Sequence, residues 1–245
     1  MIETFGASDV GCVRELNEDC FCIKVFDDEK NHGFFILADG MGGHNAGEVA
    51  SQTAVKVIAE QLKALAEASE VEIPSVLTDA IAKANECVYK MSVENEGQSG
   101  MGTTVVAVVL WDKTAYVANI GDSRAYITDE SEIRQITSDH SVVEELIRSG
   151  MITKEEARRH PQKNIITRAV GTDADVDADL FECEFGGDSC ILLCSDGLCS
   201  MMDDDEIYRI IKTEKNCEDT VCKLIDAAKQ RGGLDNITAV CIRLI

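Results

Sequence analysis

The chain has 245 residues, 45% of them hydrophobic and 28% charged, which is enough apolar material for a sizeable core and excludes a disordered chain. Forty-five Asp and Glu against 23 Lys and Arg give a formal net charge of −22, a balance that repels nucleic acid and anionic lipid. No apolar run approaches about 18 residues, and residues 1–5 are not a basic stretch leading into an apolar one, so neither a membrane span nor an export signal is expected.

In chain order, strand-like runs lie at about 2–8, 20–26 and 33–38. A long helix is predicted over about 46–66, with Val49, Ala50, Ala54, Val57, Ile58, Leu62 and Leu65 on one face. A second, over about 75–92, begins after Pro74. Strands return at 103–111, 114–120 and 124–128; the first is apolar throughout and should be covered on both faces. A short helical region follows at about 140–160, then strands at 176–185 and 190–195. Helices at about 204–213 and 217–230 precede a closing strand at 236–245. No linker or internal repeat interrupts the chain, so residues 1–245 read as a single domain. Strands and helices come in blocks rather than in strict alternation. That order favours antiparallel sheets with helices packed outside, an α+β class.

Eleven cysteines form no Cys-x-x-Cys pair, their number is odd, and no export signal accompanies them. Reduced thiols in a cytoplasmic protein are the expectation. The four histidines include no His-x-x-x-His pair, which argues against zinc.

Several aspartates sit where an apolar strand ends beside a glycine: Asp39-Gly40, Gly121-Asp122 and Asp196-Gly197, with Asp235 following Gly232-Gly233 and opening the last strand. One such pair is an ordinary turn. Four of them, in a chain already burdened with negative charge, call for a compensating cation. Oxygen-only ligands point to hard ions such as Mg²⁺ or Mn²⁺. Arg14 offers a planar fork for phosphate, with Glu18 and Asp19 close by in sequence.

The ordered segments 14–19 (Arg-x-x-Asn-Glu-Asp), 38–47 (Ala-Asp-Gly-Met-Gly-Gly-His-Asn-Ala-Gly), 101–104 (Met-Gly-Thr-Thr) and 119–126 (Asn-Ile-Gly-Asp-Ser-Arg-Ala-Tyr) carry a resemblance. So do 137–141 (Thr-Ser-Asp-His-Ser), 166–171 (Ile-Thr-Arg-Ala-Val-Gly), 195–198 (Ser-Asp-Gly-Leu) and 235–238 (Asp-Asn-Ile-Thr). The chain resembles the metal-dependent serine/threonine protein phosphatases of type 2C, in their compact bacterial form. The resemblance implies a four-layer α-β-β-α sandwich of two antiparallel sheets flanked by helix pairs, with a flap-like insertion at about 140–165. It implies two Mn²⁺ or Mg²⁺ ions: Asp39 bridging both, the Gly40 carbonyl on one, Asp196 and Asp235 on the other. Glu18 becomes a near or water-mediated ligand, Asp19 a support for that shell, and Arg14 the grip on substrate phosphate. Asp122 with Asp196 matches a weaker third ion. The implied reaction is hydrolysis of phosphoserine and phosphothreonine in proteins, by a hydroxide that bridges the ions and attacks phosphorus in line.

Two departures stand out. Met41 occupies a position where some members carry a proton-donating His, and His44 comes three residues later. Cys199-Ser200 follow the segment at 195–198 where some members have a further Asp; the run at 203–205 reads as the start of a helix. The basic stretch from Lys154 to Arg168 reads either as a solvated face or as a substrate-contact surface. The calcium-like spacing of Asp173, Asp175 and Asp177 falls in a strand-like pattern and lacks the turn glycine, so calcium is not expected. The expected partners are phosphorylated proteins of a cognate serine/threonine kinase, with no nucleic acid, no membrane and a monomeric state. The rivals are a phosphoprotein-binding pseudophosphatase without turnover and an acidic metal-binding domain.

Overall fold

The computed structural model describes residues 1–27, 29–43, 46–67 and 71–245. Eleven strands form two sheets in which every pairing is antiparallel. The first holds β1 (Ile2–Asp9), β7 (Arg124–Thr128), β8 (Ile133–Gln135), β10 (Cys190–Cys194) and β11 (Ile237–Leu244), in the order β1-β11-β10-β7-β8. The second holds β2 (Asp19–Asp27), β3 (His32–Met41), β5 (Val105–Trp111), β6 (Thr114–Ile120) and β9 (Asp179–Glu184), in the order β2-β3-β5-β6-β9, with the two-residue β4 (Gly102–Thr103) also paired to β3.

Three apolar layers hold the molecule together. Phe35, Leu37, Val106, Val108, Ile191, Leu193 and Val240 fill the space between the sheets. On the outside of the second sheet, Phe34, Ile36, Val105 and Ala107 meet α1 (Ala46–Leu62) and α2 (Ile73–Glu94). On the outside of the first, Leu192, Cys194 and Ala239 meet α6 (Asp204–Thr213) and α7 (Cys217–Gln230). Neighbouring positions of β3 and β5 thus face different cores, which is why both strands are apolar without alternation. The expected sandwich of two sheets between helix pairs is the observed one.

Local signals set the helix ends. Pro74 stands in the first turn of α2. Asp203 caps α6 and Glu206 reaches back to it, so the acidic run at 203–205 is a helix start, as its position suggested. The predicted first helix tightens to a 3₁₀ turn over Lys63–Glu67. The strand predicted at 176–185 spans only Asp179–Glu184, and the three-residue β8 is additional. Residues 142–165 leave the sandwich between the Ser141–Ile166 bridge and carry α3 (Val142–Arg148) and α4 (Lys154–Ala157). All eleven cysteines are free thiols. Among the described residues, no helix is long and apolar enough to cross a membrane.

Candidate active site

The strand register brings the aspartates together. Asp19 and Asp39 face each other directly across β2 and β3. In the other sheet, Cys194 at the end of β10 pairs with Ala239 near the start of β11, and Arg124 at the start of β7 pairs with Cys194. Asp196 lies two residues beyond Cys194, Asp122 two before Arg124 and Asp235 two before the start of β11, on the same edge of the sandwich. Acids from both sheets therefore meet in one cleft.

Hydrogen bonds confirm the meeting. Asp19 Oδ2 accepts from Ser195 Oγ at 2.8 Å and from Thr238 Oγ1 at 2.6 Å, a link from the second sheet to the first. The carboxyls of Asp39 and Asp196 are close enough that each shifts the pKa of the other. The backbone of Asp39 is fixed from below: its N–H donates to Thr104 Oγ1 at 3.0 Å and its carbonyl accepts from Thr103 Oγ1 at 2.8 Å. Thr104 in turn shares a hydrogen bond with Ser123, beside Asp122. Arg14 donates to Asp235 Oδ2 at 2.8 Å and stands exposed at the lip.

Gly40 is required by crowding. Its N–H donates to the Glu18 carbonyl at 3.1 Å. A Cβ there would meet the carbonyl oxygens of Gly47 and Glu18, both backbone atoms that cannot swing aside. Gly40→Ala should cost about 1–3 kcal/mol of stability and distort the neighbouring Asp39. A thermal midpoint within a degree of the wild type would refute this.

Burial and mutual repulsion mark the cluster. Desolvation, then the charges of Asp19, Asp196, Asp122 and Asp235, push the Asp39 pKa well above the usual carboxylate range. Asp19 is pushed up to about 7, first by desolvation and then by Asp196 and Asp235, against the lowering effect of Thr238 and Ser195. Asp122 is also pushed up to about 7, by desolvation with Asp196 and Asp139 adding to it. Asp196 rises to about 6, by desolvation and Asp235. Glu18 is raised by desolvation, while Arg14 and the N–H groups of Gly47 and Glu48 in the first turn of α1 oppose the rise.

The donor set fits a hard divalent cation. All the ligand atoms on offer are oxygens. Two of them, Glu18 Oε1 and Asp19 Oδ1, are buried without a hydrogen-bond partner. Among the described residues, no group of three or more His, Cys, Asp or Glu side chains is already placed to hold a metal ion. The acids make an open ring, with Asp235 engaged by Arg14 and Glu18 drawn to the start of α1.

Sequence reasoning found every acid of this ring and missed the hydroxyls that hold them. Ser195, Thr238 and Ser123 lie one to three residues from a strand-end acid, which is the signal that marks them; Thr104 has no acid near it in sequence. Asn236 was also missed as a staple: its amide donates to the carbonyls of Val10 and Leu16, and its Oδ1 accepts from the Glu18 N–H. So was His140, whose Nδ1 accepts from the Gly121 N–H at 3.1 Å and whose Nε2 lies 3.2 Å from Asp179. Met41 ends β3, paired with Gly102. His44 lies outside the described residues.

The family model for protein phosphatase 2C matches residues 14–235. The chain belongs to the protein phosphatase 2C family. It is 40% identical over 238 residues to the serine/threonine phosphatase stp of Listeria monocytogenes serotype 4b (strain F2365), covering 96% of this chain and 93% of that one. It is 35% identical over 237 residues to the protein phosphatase PhpP of Streptococcus pneumoniae serotype 2 (strain D39 / NCTC 7466), covering 97% and 95%. The crystal structure of the serine/threonine phosphatase Stp1 from Staphylococcus aureus superposes with a TM-score of 0.89 at 40% identity, over 100% of this chain and 96% of that one. The catalytic domain of the serine/threonine protein phosphatase PstP, in complex with two manganese ions, superposes with a TM-score of 0.88 at 32% identity, over 100% and 98%. The protein phosphatase 2C fold thus spans the whole chain.

Proposed function

We propose that this protein phosphatase 2C member hydrolyses phosphoserine and phosphothreonine in proteins with the help of Mn²⁺ or Mg²⁺. The observation that carries the reading is the ring of strand-end acids, drawn from two sheets into one cleft with an arginine at its lip. Asp39, the Gly40 carbonyl, Asp196 and Asp235 would hold two ions. Glu18 stands next to them and Asp19 orients the group through Ser195 and Thr238. Asp122 with Asp196 would hold a weaker third. Bound there, the ions would supply Lewis acidity and lower the pKa of a water towards neutrality.

The chain's own residues do the rest. The hydroxyl network under Asp39 fixes the backbone from which its carboxylate projects before substrate arrives. Arg14 exchanges its partner Asp235 for the substrate phosphate, two planar N–H donors against anionic oxygens. Residues 140–165 are the flap of a single domain covering 1–245. The substrates are phosphoproteins, those of a serine/threonine kinase in the same cytoplasm, and the protein works as a monomer. Intact acids at every expected position favour turnover over a binding-only role.

The test is phosphate release from phosphoserine and phosphothreonine peptides with Mn²⁺ and with a chelator. No metal-dependent release from any peptide would refute the reading. Arg14→Ala should lower kcat/KM by about 10–100-fold, mainly through KM, because a hydrogen bond to a charged group contributes about 1.5–3 kcal/mol. Mn²⁺ affinity should hold or tighten, since Asp235 loses a competing cation. Calorimetry showing weakened Mn²⁺ binding with unchanged KM would contradict that role.

A further inference from the structure

The loop from β1 to β2 and the turn that enters β11 form one rigid platform. Asn236 Nδ2 donates to the carbonyls of Val10 at 3.0 Å and Leu16 at 2.8 Å, and Cys12 N donates to Gly233 O at 2.7 Å. The Arg14–Asp235 ion pair, at 2.8 Å, joins the same two segments. Around that pair, three large apolar side chains are held out to solvent: Val13 at 61% exposure, Leu16 at 45% and Leu234 at 56%. Val13 precedes Arg14, Leu16 lies two residues beyond it, and Leu234 precedes Asp235. None of the three packs against any of the three cores.

A single exposed aliphatic residue needs no explanation. Three on two stapled segments, each within two residues in sequence of the Arg14–Asp235 ion pair, flank the phosphate-gripping arginine from both segments. The surrounding charge is acidic: Glu15 is exposed on the same loop, and Lys229 is committed to Asp9 at 2.6 Å.

We propose that Val13, Leu16 and Leu234 form an apolar ledge beside Arg14 that seats a large hydrophobic residue lying within two positions of the phosphorylated residue of a substrate protein. The proposal rests on the phosphatase reading above. An extended chain advances about 3.3 Å per residue, so a residue one or two places from a phosphate held at Arg14 reaches the ledge. Charge sets the complement: acidic neighbours of the phosphorylated residue are repelled by Glu15 and by the net charge of −22, so specificity combines an apolar seat with rejection of acids. The ledge touches no ion and takes no part in the chemical step. It selects among phosphoproteins.

The experiment uses the whole chain with Mn²⁺ and phosphothreonine peptides carrying Leu, Gln or Asp at each of the two positions on either side. In the wild type, kcat/KM for the best Leu peptide should exceed that of its Gln counterpart by about 5–20-fold, and that of the Asp peptide by more. In Leu16→Ser and Leu234→Ser the preference for Leu over Gln should shrink to about twofold or less. Thermal midpoints and turnover of p-nitrophenyl phosphate, which has no flanking residues, report whether each variant keeps its fold and its metal centre. Equal rates on Leu and Gln peptides in the wild type, or a preference that survives in both variants, would overturn the proposal. So would a wild-type dimer in sedimentation that Leu234→Ser dissociates, since the ledge would then belong to a second copy. Release from no peptide and no p-nitrophenyl phosphate would instead remove the phosphatase reading itself.

Discussion

Asp39→Asn should remove nearly all turnover, on the order of a thousandfold or more, even at saturating Mn²⁺. Asparagine keeps the shape, and the backbone at this position is pinned by Thr103 and Thr104 through groups the substitution leaves in place. What disappears is one carboxylate at the centre of the ring, opposite Asp19 in its own sheet and electrostatically coupled to Asp196 from the other. A centre that needs that charge to hold cations loses them or holds them wrongly. The same change should leave the metal-free protein as stable as the wild type or more so, because it removes a group that repels four neighbours. Lost activity with an unchanged or raised thermal midpoint in chelator separates a chemical role from a folding defect. Turnover near that of the wild type would refute the assignment of Asp39 to the ions.

The metal-free protein should lose stability as pH rises from about 5 to about 8. Asp19 and Asp122 have folded pKa values of about 7 and Asp196 of about 6, each above the ordinary aspartate value of 3.8. The folded chain therefore binds these protons more tightly than the unfolded chain. The stabilisation is fully present below about pH 4 and is lost as pH climbs through 6 and 7. One pKa unit corresponds to about 1.4 kcal/mol, and because the three carboxyls repel one another and titrate together their shifts do not add in full, which leaves at least a few kcal/mol. For a chain of this size that is a fall of about 5–10 °C in thermal midpoint. Mn²⁺ should abolish most of the fall by replacing protons with a cation, and its addition at pH 6 should release protons into a weakly buffered solution. A midpoint that stays level or climbs over this interval in chelator would overturn the electrostatic account.

Much of this was legible in the residues themselves, and the failures have physical causes. The all-apolar run at 105–110 announced a strand covered on both faces, and Val105 to Leu110 are all buried. The acids were legible because a carboxylate between an apolar strand and a glycine is conspicuous. β8 was not, because Ile133, Arg134 and Gln135 show no alternation and are held by backbone pairing to β7. The strand ending at Glu184 starts three residues later than expected, because Val176 and Ala178 are apolar for another reason: they pack against the α1–α2 core without joining the ladder. The hydroxyl network could not be read at all. Ser195 and Thr238 reach Asp19 across 176 and 219 residues, and nothing in the local composition of any of them encodes that contact.

The acid ring draws its members from both sheets, and beneath the hydroxyl links to Asp19 those sheets are held apart by the greasy layer of Phe35, Leu37, Ile191, Leu193 and Val240. The interior packing therefore acts as the ruler of the catalytic cleft. Any change that lets the sheets slide or breathe, however far from the acids, alters the gap that a cation must span. If the acids hold an ion as proposed, affinity for it would gauge how well the middle of the protein is filled, and the bound ion would act as a clasp at that end of the sandwich.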